Sequence, residues 1–226
     1  MGKSKPILYL ARHGESQFNA RDLFTGFLDI SLSNKGIEQA LALGGVLKNK
    51  EIDLVFSSDL IRAEMTAFLA LHEYKNKILQ RLYWSGKETA HRENILPIYI
   101  SEKLRERGYG ILEGKNKAEV KKEVGEAQFL AWRRTFRGVP PQGESLQMVE
   151  SRVIPFFEEA LFPFLSKGKS VLVVAHGNSL RALVRYLEGW SEEQIIGYEI
   201  PTGTCMGYVL KEIESIRKGH FEKLTE

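Results

Sequence analysis

One cysteine in 226 residues, Cys205, excludes an intrachain disulfide and leaves no thiolate cluster for a metal. The His and Asp spacing of a metal hydrolase is missing too, so no metal is expected. No apolar run approaches the length that crosses a bilayer, and the opening Met1-Gly2-Lys3-Ser4-Lys5-Pro6 lacks the apolar core of a signal peptide. Gly2 hints at myristoylation, but Pro6 stands where that motif needs Ser or Thr. Charge of one sign is scarce: 32 Lys and Arg against 29 Asp and Glu leave a formal +3, too little and too scattered for a nucleic-acid footprint. Repeats and low-complexity tracts are absent. Together these absences point to a cytoplasmic domain that takes a small acidic molecule, with neither nucleic acid nor membrane as partner.

What is present suits one α/β domain over residues 1–226: 43% hydrophobic residues supply a core and 27% charged residues solvate it. Ile7-Leu8-Tyr9-Leu10-Ala11 reads as a buried strand. A polar loop over Ala20–Asn34 follows, then a helix capped by Ser33 with Ile37, Ala40, Leu41, Gly44 and Leu47 on its inner face. Asp53–Ser57 is a second strand, feeding a helix with Leu60, Ala63, Ala67 and Ala70 inside. Lys75–Asn94 is polar and reads as a surface excursion. Pro97–Ile100 is extended, and Lys117–Val124 and Glu126–Phe136 are helical. A long helix over Glu144–Phe164 should be kinked or shortened by Pro155 and Pro163. Ser170–Ala175 is the clearest buried strand, followed by a helix over Leu180–Trp190, a short capped helix from Ser191, and a strand over Thr204–Ile213. Strands alternating with helices predict a three-layer α/β/α fold around a mainly parallel sheet. His72, His91 and His220 read as surface residues, Trp84 and Trp190 as packing or edge residues, and Cys205 as a small buried hydrophobe.

Two apolar strands, far apart in sequence, end alike: Ala11-Arg12-His13-Gly14 and Ala175-His176-Gly177. A lone strand-end histidine is usually a satisfied core residue. In a parallel sheet, however, ligands sit at the carboxyl ends of strands, so neighbouring strands would bring both imidazoles to one pocket. The strand at Leu54–Ser57 leads to Arg62 at the same edge. Two histidines and two arginines facing one site suit a phosphoryl group, with an imidazole to attack it and guanidinium forks to hold its oxygens.

The ordered series of motifs resembles the histidine phosphatase superfamily from roughly Ile7 to Tyr208. It comprises Arg12-His13-Gly14-Glu15-Ser16 with Asn19, Leu32-Ser33 with Gly36 and Gln39-Ala40, and Ser58, Leu60, Arg62-Ala63 and Thr66-Ala67. Gly143-Glu144-Ser145-Leu146, His176-Gly177-Asn178-Ser179-Leu180-Arg181 and Ile200-Pro201-Thr202-Gly203 complete it. Within the superfamily, Glu106-Arg107 with Tyr109-Gly110, Gly114 with Asn116-Lys117, and Trp132-Arg133-Arg134 are similar to the cofactor-dependent phosphoglycerate mutases. Gly108 departs from the bulkier residue common there, and Pro140-Pro141-Gln142-Gly143-Glu144 is abrupt where a long loop is usual.

The resemblance implies that His13 carries phosphate as a phosphohistidine, its far ring nitrogen tied to a backbone carbonyl. Arg12, Arg62 and His176 would clamp the phosphoryl oxygens, His176 in its protonated form, with further donors from Asn19 and the amides of Gly177 and Asn178. Glu106 would be the general acid and base. Arg107, Lys117, Arg133, Arg134, Tyr109 and the hydroxyls of Ser16 and Thr25 would cradle the rest of the substrate. Gly14, Glu15, Gln17, Phe18, Gly26 and Gly108 complete the implied binding set. The implied reaction interconverts 2-phosphoglycerate and 3-phosphoglycerate, primed by 2,3-bisphosphoglycerate, and a homodimer is the implied assembly. A phosphatase acting on small phosphate esters is the alternative, against which Lys117 and Arg133-Arg134 argue. A non-catalytic phosphate-binding module would have no need of His13 and Glu106.

Overall fold

Short runs rich in Val, Ile, Leu and Tyr pair into one sheet in a computed structural model that describes residues 5–89, 92–210 and 221–224. The strands are β1 Ile7–Arg12, β2 Leu54–Ser57, β3 Ile78–Tyr83, β4 Ile95–Ile100, β5 Val171–Ala175, β6 Cys205–Leu210 and β7 Phe221–Lys223. Their order across the sheet is β3-β4-β2-β5-β1-β6-β7. From β3 to β1 all pairings are parallel, and β6 and β7 add antiparallel partners at one edge. The helices are α1 Gln17–Ala20, α2 Asn34–Leu47, α3 Ile61–Leu71, α4 Lys117–Val124, α5 Glu126–Arg134, α6 Leu146–Phe156, α7 Phe162–Ser166, α8 Gly177–Glu188 and α9 Glu192–Ile196.

The period of two along each strand makes the layers. Leu8 and Leu10 of β1, with Val171 and Val173 of β5, face a core shared with α6, α7 and α8. Tyr9 and Ala11, with Leu172 and Val174, face a second core under α2 and α3. The fold is therefore the expected α/β/α sandwich with a mostly parallel sheet. Central strands buried on both faces lose the polar alternation of a half-exposed strand, which is why β5 reads as an unbroken apolar run.

Three details differ from the expectation. Leu41 is 42% exposed, whereas Leu43 is buried on the inner face of α2. The polar stretch placed on the surface contains β3, an edge strand in which only Leu79 and Leu82 reach even partial burial. Cys205 is only half-buried, at the start of β6. The regular helix is shortened near Pro155: the missing N–H removes one helical hydrogen bond, and α6 passes into a π-helical turn over Phe157–Leu161 before α7, which has Pro163 in its first turn. Trp84 packs against Phe56 and Tyr99, and Trp190 stands edge-on to Tyr198. His72 is exposed, while His91, His220 and residues 211–213 lie outside the described residues. No helix among the described residues is long and apolar enough to cross a membrane.

Candidate active site

β1 and β5 lie side by side in parallel, Arg12 opposite Ala175, so the residues that follow leave the sheet together. The His13 and His176 rings end 4.9 Å apart between centroids. β2 flanks β5 on its other side, and the chain leaves β2 through Ser58 to place Arg62 in the first turn of α3. Gly14 makes this corner possible. A Cβ there would stand 2.2 Å from the carbonyl oxygen of Gly36, so the two backbones touch where α2 begins.

His13 is 2% exposed, and its Nδ1 lies 2.6 Å from the carbonyl oxygen of Gly14. A carbonyl can only accept, so Nδ1 carries the proton and Nε2 keeps a lone pair. Burial, then the charges of Arg62 and Arg12, hold this imidazole well below its usual range, which keeps Nε2 bare at neutral pH.

His176 is fully buried, with Nε2 2.6 Å from the hydroxyl oxygen of Ser58. Burial, Arg62, His13 and Arg12 push it down as well, so the free protein favours neutral His176, whereas the protonated form is implied for the site holding a phosphoryl group. An arriving anion would shift that balance toward the charged form.

These two imidazoles make stability depend on pH. Both bind a proton more readily in the unfolded chain, so the unfolded state gains protons first as the pH falls below the ordinary histidine value of 6.5. Unfolding free energy should therefore decline from pH 7 toward pH 5.5, each ring approaching about 1.4 kcal/mol per pH unit. Urea titrations across that window check this, and a flat profile would mean charged imidazoles in the folded site.

The guanidinium of Arg12 donates through Nη1 to the carbonyl of Ile200, while its buried Nε has no partner among the described residues. Arg62 is 1% exposed and donates to the carbonyls of Leu28 and Gly26, at 2.9 and 2.8 Å. Burial lowers its pKa to about 10, which still leaves it charged at neutral pH. Glu106 accepts three N–H groups on one oxygen, Oε1: from Arg107 N at 2.7 Å, Asn178 N at 3.1 Å and Asn178 Nδ2 at 2.9 Å. Its other oxygen has no protein donor among the described residues.

Arg12, His13, Arg62 and Glu106 share a cavity of about 180 Å³ with Asn19, Thr25, Gly26, Tyr109, Lys117, Arg133, Arg134, Gly177 and Asn178, whereas the fully buried His176 is not part of its lining and meets the site through its contact with the His13 ring. Its far wall is the α4–α5 pair, held by a small separate core of Phe24, Leu112, Val120 and Phe129. In the free protein each cation of that wall has a protein neighbour. Lys117 pairs with Asp22 at 2.6 Å, Arg134 with Glu199, and Arg133 lies over the Phe129 ring at 5.2 Å. Six guanidinium or ammonium groups, counting Arg12, Arg62 and Arg181, face two carboxylates, Glu106 and Glu199, so the cavity attracts anions.

Other residues expected in the binding set stand behind this surface. Glu15 ties the corner to α2, accepting from Ser33 Oγ at 2.9 Å and Lys35 Nζ at 3.3 Å. Ser16 caps α1, Gln17 reaches Ser31, and Phe18 is half-buried on that helix. Arg107 is buried and donates to Tyr109 Oη at 2.8 Å and to the Trp132 carbonyl at 3.1 Å, so it braces the wall. Gly108 packs against the Phe27 ring, where a Cβ would come to 3.3 Å. Unexpected in the lining are Leu23, Phe24, Arg181, Tyr198, Glu199 and Ile200. Arg181 and Ile200 belong to motifs already legible in the sequence, whereas the others carry no local signal.

The model of the histidine phosphatase superfamily (branch 1) matches residues 8–212. The chain belongs to that superfamily. Among its relatives is the 2,3-bisphosphoglycerate-dependent phosphoglycerate mutase of Chlamydia trachomatis serovar L2b, 43% identical over 209 residues, 89% of this chain and 92% of the relative. The mutase of the same name from Chlamydia pneumoniae is 42% identical over 218 residues, 91% and 94% of the two chains. Among solved structures, a mycobacterial glucosyl-3-phosphoglycerate phosphatase with VO3 superposes with a TM-score of 0.79 at 25% identity, covering 98% of each chain. A putative alpha-ribazole-5'-P phosphatase from Escherichia coli superposes with a TM-score of 0.75 at 26% identity, covering 98% and 95%.

Proposed function

We propose that this histidine phosphatase superfamily member is a 2,3-bisphosphoglycerate-dependent phosphoglycerate mutase, an isomerase interconverting 2-phosphoglycerate and 3-phosphoglycerate through a phosphohistidine on His13. The observation that carries this reading is the pairing, in one cavity, of a phosphoryl-transfer end with a cationic far wall. A phosphatase needs only the first. A mutase must also hold the substrate's carboxylate while its two oxygens exchange the phosphoryl group, and Lys117, Arg133 and Arg134 offer that grip.

The cavity fits the cofactor by its unmet donors and bases. Arg12, Arg181 and Thr25 line it, and Arg12 Nε, Arg181 Nε and Thr25 Oγ1 are buried without a protein partner among the described residues, a costly state that a polyanion relieves. When bound, 2,3-bisphosphoglycerate supplies the phosphoryl group that primes His13. Arg12, Arg62 and His176 would hold one phosphate, and Lys117, Arg133 and Arg134 the groups at the other end.

In the transfer step, Nε2 of His13 forms a bond to phosphorus as the ester oxygen leaves with the bonding pair. Glu106 delivers a proton to that oxygen and later takes one from the accepting hydroxyl. Arg12, Arg62 and His176 neutralise the phosphoryl oxygens throughout, and the sheet-edge site keeps their geometry ready beforehand. The far wall retains the substrate between transfers, so return to the other oxygen outpaces attack by water. The reading also places the protein in the cytoplasm, acting without a metal, and as a homodimer, which light scattering of the purified chain tests.

One assay separates mutase from phosphatase. With 3-phosphoglycerate, a trace of 2,3-bisphosphoglycerate and no added metal, 2-phosphoglycerate should form and free phosphate should stay minor. Phosphate as the main product would replace this reading by the phosphatase one.

A further inference from the structure

Glu106 sits on a stretch of chain without a backbone ladder of its own. One 3₁₀ turn, Glu102–Leu104, ends at an extended Arg105, and residues 105–109 belong to no helix or strand. Backbone carbonyls in such a stretch must find partners elsewhere. Two of them, with one from the 3₁₀ turn, find the same one. Arg152, in α6, donates from Nη1 to the carbonyls of Lys103 and Arg105, at 2.8 and 2.9 Å, and from Nη2 to that of Glu106 at 2.8 Å.

Its remaining donors go to Glu144, Nε to Oε1 and Nη2 to Oε2, both at 3.0 Å. All five N–H groups of the guanidinium are thereby used. Glu144 completes the grip on the other side of Glu106. Its Oε2 accepts the Gly108 N–H at 2.9 Å, and its own N–H donates to the Gly108 carbonyl at 2.8 Å. Both side chains are 18% exposed, so the pair is largely shielded from water.

We propose that Arg152 and Glu144 are positioning residues that clasp the chain before and after Glu106 and so aim its carboxyl at the reacting oxygen. This rests on the reading of Glu106 as the proton donor and acceptor. Held by the clasp behind and by Asn178 in front, the carboxyl has one oxygen fixed and the other left for the proton. Lysine cannot replace the fork, since a single ammonium has three donors and no plane, too few for three carbonyls and a bidentate carboxylate. Arg12, Arg62 and the two imidazoles receive no hydrogen bond from the clasp, and Arg152→Lys keeps the positive charge that Arg152 exerts on His176, so phosphate binding should survive that variant.

The test compares wild type, Arg152→Lys, Arg152→Ala and Glu144→Gln, following 2-phosphoglycerate and free phosphate separately. Misplacing a proton-transfer group by about 1 Å should lower kcat for Arg152→Lys by about 10- to 100-fold, with KM and the affinity for orthovanadate changed less than about threefold. The solvent deuterium isotope effect on kcat should grow, because proton transfer becomes the slow step. Millimolar guanidinium should restore part of the activity of Arg152→Ala. Glu144→Gln, which keeps the shape and loses the charge, should show the same signature more mildly and serves if the arginine variants do not fold.

Two results would overturn the clasp: kcat within about twofold of wild type in Arg152→Lys, or kcat and vanadate binding falling together with an unchanged isotope effect, the mark of a merely structural role. If wild type releases phosphate instead of 2-phosphoglycerate, the mutase reading fails. The same comparison on phosphate release then decides the clasp, since protonating the departing oxygen is common to both reactions.

Discussion

His13→Ala should abolish phosphoryl transfer, with turnover of 3-phosphoglycerate falling at least about 10⁴-fold, as expected when a covalent nucleophile is removed. Phosphoryl-labelled 2,3-bisphosphoglycerate should leave acid-labile, base-stable label on wild type and none on the variant. No neighbour can substitute. His176 is 4.9 Å away between ring centroids, its Nε2 engaged by Ser58 and its Nδ1 buried. Arg12 and Arg62 remain, so inorganic phosphate should still bind, and the loss should lie in kcat. The smaller side chain also removes one imidazole whose neutral form burial enforces, which should make the pH dependence of stability shallower below pH 6.5. Labelled His13→Ala, or turnover within about tenfold of wild type, would place the nucleophile elsewhere.

Why His13 was legible in the sequence, and other parts of the site were not, follows from how each is held. His13 and His176 follow two apolar strands with matching ends, and parallel pairing in register does the rest. Arg62 is readable for the same reason, because β2 is the next strand over. Ser58 stands in the motif series and follows β2, but nothing in the sequence tells that it meets His176, 118 positions away. Arg152 is harder still. Within α6 only the apolar stripe of Leu146, Val149 and Val153 shows in the sequence, and a charged residue between those positions reads as a solvated face. Its carbonyl acceptors lie 46 to 49 residues earlier, in a segment of irregular path that shows no periodicity to point at them. β3 was hidden by its place at the sheet edge. An edge strand buries little, so Gln80, Arg81 and the exposed Ile78 and Tyr83 blur the alternation that marks its inner neighbours.

The same division between what binds and what reacts governs Glu106→Gln. Glutamine keeps the shape, and its carbonyl oxygen can accept the three N–H groups that now hold Oε1, so the cavity wall should stand. What disappears is the capacity to give and take a proton at the second oxygen. An alkoxide leaving without that proton is a poor leaving group, and a hydroxyl attacking with its proton retained is a poor nucleophile. Both halves of the exchange should therefore slow, by about 10²- to 10⁴-fold in kcat, the range expected for loss of a general acid or base. KM should change little, because on the proposed reading the anionic ends of the substrate go to the arginines and Lys117 of the lining rather than to Glu106. A nitrophenyl phosphate, whose leaving oxygen needs no proton, should phosphorylate His13 nearly as fast in the variant as in wild type. That contrast between leaving groups separates a lost proton donor from a distorted site, which would slow both. If Glu106→Gln slowed the two substrates equally, Glu106 would be holding the site's shape, and the proton would have to come from another group in the cavity.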